Sequence, residues 1–404
     1  LNILVLTFWS YKDALIQTYT LPYLKLMHKH LPADSQIYLL NLEKSHLKIT
    51  PEENTKIDAE LANYKITRIP FNYQSFGIQA ICTWLLILVR LFFLIFQQNI
   101  QVIHSFCTPP GVAGWVLSIL TGRKLIIDSY EPHAEASVEN GDWKRNSFRF
   151  KFLLFLEKLQ SRRAKTIISA TKGMRKYALE KYGATFEHFY VKPACVNLEL
   201  FSETNLKRQK LVEKFGFENK IVAVYAGKFG GIYLDKEVFD FLKIASDYWK
   251  DQFRVLILTN HKPHEISKFC QASQLDESLV QTAFVPHSEV PNHMGLADFA
   301  LTPVKPIPTK RYCTPIKNGE YWALGLPIVS TANISDDSEI IEQEKIGAII
   351  RAFNPTDYLR VVKEIDVILK KYNSKKRYQR IRRIAEQYRS FNIADKIYQE
   401  IYGK

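Results

Sequence analysis

Short apolar runs rich in β-branched residues alternate with helix-period stretches, and the chain does this twice. In the first half "NILVLTF", "SQIYLLNLE", "QVIHSF", "KLIIDSY" and "KTIISAT" are separated by helical patterns, the first around residues 19–29. In the second half "IVAVYAG", "FRVLILT", "VQTAFV", "DFALTPV", "LPIVST" and "IGAII" follow the same rhythm, with helices from Glu237, after Pro263 and around Glu320. A helix between two strands returns the chain to the same end of the sheet, so such strands pair in parallel. The expected fold class is α/β, with two tandem doubly wound sheets that carry helices on both faces. The rhythm breaks in residues 187–220, which read as loop and then charged helix. The expected domains are therefore 1–205 and 206–385, with a helical segment, 386–404, crossing back to the first. Open parallel sheets bind ligands outside the carboxyl ends of their strands. A cleft between the domains is the expected site.

Charge narrows the partners. The 404 residues carry 55 basic against 41 acidic side chains, a formal net charge of +14. That excess favours anionic partners: phosphorylated ligands, acidic lipid or nucleic acid. The densest basic run, "LKKYNSKKRYQRIRR" at residues 369–383, reads as a solvated helix face. Elsewhere basic residues are dispersed without an aromatic-basic recognition motif, so no nucleic-acid partner is expected. The segment "WLLILVRLFFLIF", residues 84–96, is interrupted by Arg90 and is shorter than the roughly 20 residues of a spanning helix. It fits either a buried core helix or an interfacial helix that dips into one leaflet with Arg90 at the headgroups. The five cysteines, Cys82, Cys107, Cys195, Cys270 and Cys313, form neither a CxxC pair nor a metal-ligand pattern. The opening "LNILVLTFWS" lacks the layout of a signal peptide and reads as a strand. A cytoplasmic protein is expected, with peripheral contact to the acidic inner face of a membrane.

Two segments carry recognisable chemistry. In "VYAGKFGGIYLDKE", Gly227, Gly230 and Gly231 surround Lys228 between a strand and a helix, where backbone N–H groups and a helix N-terminus receive a diphosphate. It is neither a Walker A loop nor a GxGxxG turn, and a plain glycine-rich turn is the alternative. In "PVKPIPTKRYCTPIKNGEYWALGLPIVST" the prolines keep the chain extended until a short helix opens at Pro315. Glu320 on that helix is suited to accept two hydrogen bonds from vicinal hydroxyls such as a ribose presents. The alternative is a surface glutamate paired with Lys317, one helical turn earlier.

The order "AGK", "ADFALTP", "PIKNGEYWALGLPIVST" resembles the C-terminal domain of GT-B glycosyltransferases, most of all the large retaining family numbered four. "VKPACVNLELF" resembles the family segment before the interdomain linker, and "IADKIYQEIY" its returning helix. The resemblance implies two Rossmann-like domains and a nucleotide-diphosphate sugar as donor substrate, with no cofactor. It implies that Glu320, the second glutamate of the E-x7-E signature, holds the ribose, and that Lys228 with Gly227 meets the diphosphate. Tyr312 stands where the first glutamate faces the donor sugar, and the register that gives the family a second lysine gives Tyr233 here, so Lys317 would supply that charge. Backbone groups at Val285 would pass the nucleobase.

In the first domain the loop after the opening strand has no glycine and offers Ser10, Tyr11 and Lys12 on the acceptor side. "DSYEPHAEASVENGDW" adds Asp128 on that side and Glu131 and His133 as catalytic candidates beside Lys228. His104 is expected to be structural and His287 a loop residue. Adjacent Asp336 and Asp337 are not the spaced pair that holds a cation, and no metal is expected. The implied reaction moves a sugar, with retention, to a glycan or lipid-linked hydroxyl in glycan, polysaccharide or glycolipid biosynthesis. The competing readings are a sugar-nucleotide epimerase on the same fold and a non-catalytic sugar-nucleotide-binding subunit.

Overall fold

Every strand-to-strand ladder is parallel in the structure, a computed structural model that describes residues 1–74 and 78–403. The first sheet contains β1 (Asn2–Leu6), β2 (Ile37–Glu43), β3 (Ile66–Asn72), β4 (Ile100–Phe106), β5 (Lys124–Tyr130), β6 (Thr166–Ser169) and β7 (His188–Val191). Its spatial order is β3-β2-β1-β4-β5-β6-β7. The second contains β8 (Ile221–Ala226), β9 (Phe253–Leu258), β10 (Val280–Ala283), β11 (Phe299–Thr302), β12 (Ile328–Thr331) and β13 (Gly347–Ile350), in the order β10-β9-β8-β11-β12-β13. Chain order reverses between β1 and β4 and again between β8 and β11, the switch points where doubly wound sheets open a crevice. The contacts divide the chain into two units, residues 1–193 with 392–404 and residues 194–391.

Most strands read from the sequence have both faces covered, with nearly every residue apolar, and the edge strand β10, exposed at Gln281 and Thr282, is the exception. In β8 Val222, Ala223, Val224, Tyr225 and Ala226 are all buried. Two strands escaped that reading, β3 and β7. Both lie at sheet edges, with β3 burying only Ile66 and Ile69 and β7 no more than half-buried. Pro70 is tolerated inside β3 because an edge strand pairs on one side only.

The helix Ile78–Gln97 is not buried all round. It buries Ile87, Leu91 and Ile95 but exposes Leu85, Leu86, Val89, Phe93 and Phe96. No helix among the described residues is long and apolar enough to cross a membrane. The basic run is also less solvated than expected. Arg382 donates to the carbonyls of Leu198, Phe201 and Ala323 and Arg380 to that of Glu344, and beyond the run Arg389 is buried against Asp337.

The final helix, Phe391–Tyr402, packs in the first unit around a buried charge. Asp128, at the carboxyl end of β5, accepts from the Lys192 ammonium at 2.8 Å, the Tyr398 hydroxyl at 2.9 Å and His104 Nε2 at 3.2 Å. The Tyr402 hydroxyl lies 2.6 Å from His104 Nδ1. Burial alone would raise the Asp128 carboxyl, but the Lys192 ammonium and His104 hold it below the usual carboxylate range. Burial lowers His104, so the ring is neutral and structural. Asp128 is therefore no acceptor-side group: it is fully enclosed and its oxygens are taken. Removing one partner of a buried pair strands the other charge. Lys192→Met is expected to lower stability by about 3–5 kcal/mol in chemical denaturation, and Lys192→Met with Asp128→Asn to recover most of it. Because the Asp128 pKa is depressed on folding, its contribution is complete above about pH 4 and fades as the pH falls below that.

Candidate functional site

At the carboxyl end of β8 the chain folds over its own tyrosine. The Tyr225 hydroxyl donates to the Lys228 carbonyl, and a Cβ at Gly227 would lie 2.7 Å from that hydroxyl, so the position admits no side chain. Gly230 and Gly231 take φ of 79° and 62°, which side chains resist. The loop is tied down further along. The Leu234 amide donates to the Pro303 carbonyl at 2.8 Å, Lys305 to Ile232 at 3.0 Å, and Phe229 to His261 Nε2 at 3.1 Å. Lys228 stands exposed on this fixed loop, and its ammonium has no hydrogen bond or ion pair to any described residue.

The second segment forms the helix Ile316–Ala323, opened by Pro315. Glu320 is 4% exposed and its Oε2 accepts from the Lys317 ammonium at 2.8 Å, with Lys317 itself half-buried. The pairing with Lys317 thus exists, at a buried carboxylate and not at the surface. The next residue joins the segments: the buried Ala226 amide, last in β8, donates to the Tyr321 hydroxyl at 3.0 Å. Beneath, Asn318 accepts from Thr302 at 2.5 Å and donates to Asp337 at 2.7 Å, and Arg389 pairs with Asp337. Burial raises the Asp337 carboxyl although Arg389 opposes it. A Cβ at Gly319 would come within 2.8 Å of Val196, so the helix seats against that floor without a side chain between.

Tyr312 ends the 3₁₀ turn Pro308–Tyr312 and is half-buried. Val285 follows β10, half-buried beside an exposed Phe284. The carboxyl ends of β8 and β11 therefore present an exposed cation, backbone amides in a glycine loop and a buried carboxylate–ammonium pair. That set suits a ligand with both an anion and vicinal hydroxyls.

In the first unit, His133 opens the helix His133–Glu139, its Nδ1 3.2 Å from the Glu131 carbonyl and its Nε2 3.3 Å from the Glu131 carboxylate. Both side chains remain partly exposed. The acceptor-side trio is engaged elsewhere. Ser10 is buried, donating to the Leu42 carbonyl at 3.1 Å and accepting from the Lys44 amide at 2.8 Å. The Tyr11 amide donates to Glu43 and its ring is buried beneath Arg68. Lys12 pairs with Glu53 at 2.8 Å. A loop without glycine folds back onto the end of β2 and satisfies its own polar groups there. Among the described residues no cluster of three or more histidine, cysteine or acidic side chains is placed to hold a metal ion.

Residues 220–365 match the model of the family described as glycosyl transferases group 1. No curated protein sequence matches the chain. Solved structures match nearly end to end. A glycosyltransferase from Rickettsia africae ESF-5 superposes with a TM-score of 0.68 at 16% identity, over 99% of this chain and 98% of that one. HepE from Anabaena, solved in complex with UDP and glucose, gives 0.71 at 14% over 99% of each chain. WaaG, a glycosyltransferase involved in lipopolysaccharide biosynthesis, gives 0.69 at 14% over 100% of each. At such identities the likeness is one of fold.

Tyr321→Phe removes the acceptor of the buried Ala226 amide while keeping the ring. It is expected to cost about 1–3 kcal/mol in chemical denaturation. A loss below about 0.5 kcal/mol would mean that the strand end does not depend on this bond.

Proposed function

We propose that this chain, whose residues 220–365 carry the glycosyl transferases group 1 segment and whose two parallel sheets make the GT-B fold, transfers a sugar from a nucleoside diphosphate donor to a hydroxyl acceptor. One observation carries the reading: the exposed Lys228 loop and the buried Lys317–Glu320 pair are joined through Ala226 and Tyr321 at the β8–β11 switch point. The amides of Gly230 and Gly231 and the Lys228 ammonium receive the diphosphate, and Glu320 accepts from the ribose hydroxyls. Departure of the nucleoside diphosphate leaves charge on oxygen, which Lys228 and Lys317 stabilise better in the transition state than in the bound donor. Transfer with retention follows if the acceptor attacks from the face the leaving group departs. Tyr312 contacts the sugar, backbone groups at Val285 the base, and Glu131 with His133 faces the acceptor hydroxyl. The epimerase reading, which needs several acids, loses Asp128 to the buried network of the first unit.

The acceptor is a glycan or a lipid-linked glycan, and the first unit carries a surface suited to acidic lipid. The helix Phe148–Arg163 exposes Phe148, Phe152 and Phe155 among exposed Arg149 and Lys151. It packs against the helix Thr108–Thr121, as does Ile78–Gln97 with its exposed Leu86 and Phe93. Aromatic and basic side chains on adjacent helices favour an anionic interface. Leu86→Glu with Phe93→Glu is expected to abolish co-sedimentation with phosphatidylglycerol vesicles. Unchanged sedimentation would remove the membrane from the proposal.

Glu320→Gln tests the donor site. Losing a charge-assisted pair of hydrogen bonds is worth about 1.5–3 kcal/mol, so affinity for the recognised nucleoside diphosphate is expected to fall roughly 10- to 150-fold. A thermal-shift comparison of UDP, GDP and ADP identifies the base first. Equal affinity of Glu320→Gln and the parent for every one of them contradicts the assignment.

A further inference from the structure

The first unit buries a carboxyl that the proposed reaction does not use. Glu157, on the helix Phe148–Arg163, is 1% exposed. Its Oε1 accepts from the Ala134 amide at 2.9 Å and its Oε2 from the Tyr182 hydroxyl at 2.9 Å. Ala134 follows His133, so Glu157 grips the first turn of the short helix whose leading side chain meets Glu131. We propose that Glu157 is a positioning residue, which holds the Glu131–His133 pair in place through the Ala134 amide and loosens that hold when it changes protonation state. The proposal rests on the reading of His133 as an acceptor-side group.

Burial pushes the Glu157 carboxyl up to about 7, against the pull of His133, the Ala134 amide and the Tyr182 hydroxyl. The titratable groups facing it are His133 from its helix, Tyr182 from the turn Ala178–Tyr182 and Tyr130 from β5, with Tyr177 behind the two tyrosines. Burial raises Tyr130 and Tyr182, which stay protonated near neutral pH, so Glu157 is the buried group that responds there. As an anion Glu157 accepts two hydrogen bonds strongly. As a neutral acid its protonated oxygen becomes a donor and one of the two contacts weakens.

Glu157→Gln keeps the shape, an acceptor for Ala134 and a polar contact for Tyr182, and removes the titration. The test follows the Ala134 amide proton resonance, assigned by its loss from the alanine-labelled spectrum in Ala134→Ser, together with kcat and KM across neutral pH. In the parent we expect an inflection near pH 7 in the Ala134 amide shift and in kcat, with donor KM flat. Glu157→Gln should lose that inflection. Tyr182→Phe, which removes a donor to the carboxylate, should move it to higher pH. A folded Glu157→Gln that keeps both the inflection and the parent's kcat overturns the proposal. If Glu157→Gln does not fold, an unmoved inflection in Tyr182→Phe overturns it. Should the parent transfer no sugar at all, the functional reading fails, and the Ala134 amide resonance still decides the role of Glu157.

Discussion

The Ala226 amide, enclosed at the end of β8, must find an acceptor, because a buried backbone donor left unpaired costs as much as a lost hydrogen bond. It finds the Tyr321 hydroxyl at 3.0 Å. That choice fixes where the glycine loop leaves the sheet and where the helix of Glu320 lies, so two segments distant in sequence act as one surface. Around this bond the remaining contacts are consistent. Tyr225 holds the Lys228 carbonyl from below, His261 takes the Phe229 amide, and Asn318 fastens the helix to Thr302 and Asp337. A charge on Lys228 costs little because water reaches it. A charge on Glu320 would cost several kcal/mol in isolation and is sustained by Lys317.

The two units use the carboxyl ends of their strands differently. In the first, ionisable groups near those ends are largely consumed by structure: Asp128 anchors the final helix, Lys12 binds Glu53, and Glu43 receives the Tyr11 amide. In the second, the glycine loop leaves Lys228 uncommitted. In the segment after β5, by contrast, Glu131 and His133 remain partly exposed and a buried carboxyl stands behind them.

How much of this was legible follows from range. The covered strands announced themselves, since β8 or β9 has no polar face to disguise it, whereas at the edges β10 was legible and β3 and β7 were not. The exposure of Lys228 and the pairing of Lys317 with Glu320 were readable because each belongs to a local pattern of glycine, proline and charge. Asp128 was misread because its position at a strand end looks the same whether water or Lys192 faces it, and its partners lie 64 and 270 residues away. Tyr321 sat inside a segment already singled out, yet nothing local pointed to an amide 95 residues earlier. Glu157 looked like any helix glutamate, and only burial distinguishes it.

The most direct test is a crystal structure of the chain with the nucleoside diphosphate it binds. The diphosphate oxygens should lie on the amides of Gly230 and Gly231 and the Lys228 ammonium, with both ribose hydroxyls on the Glu320 carboxylate. A nucleotide seated elsewhere, with Lys228 in solvent and Glu320 still held by Lys317 alone, would contradict the account.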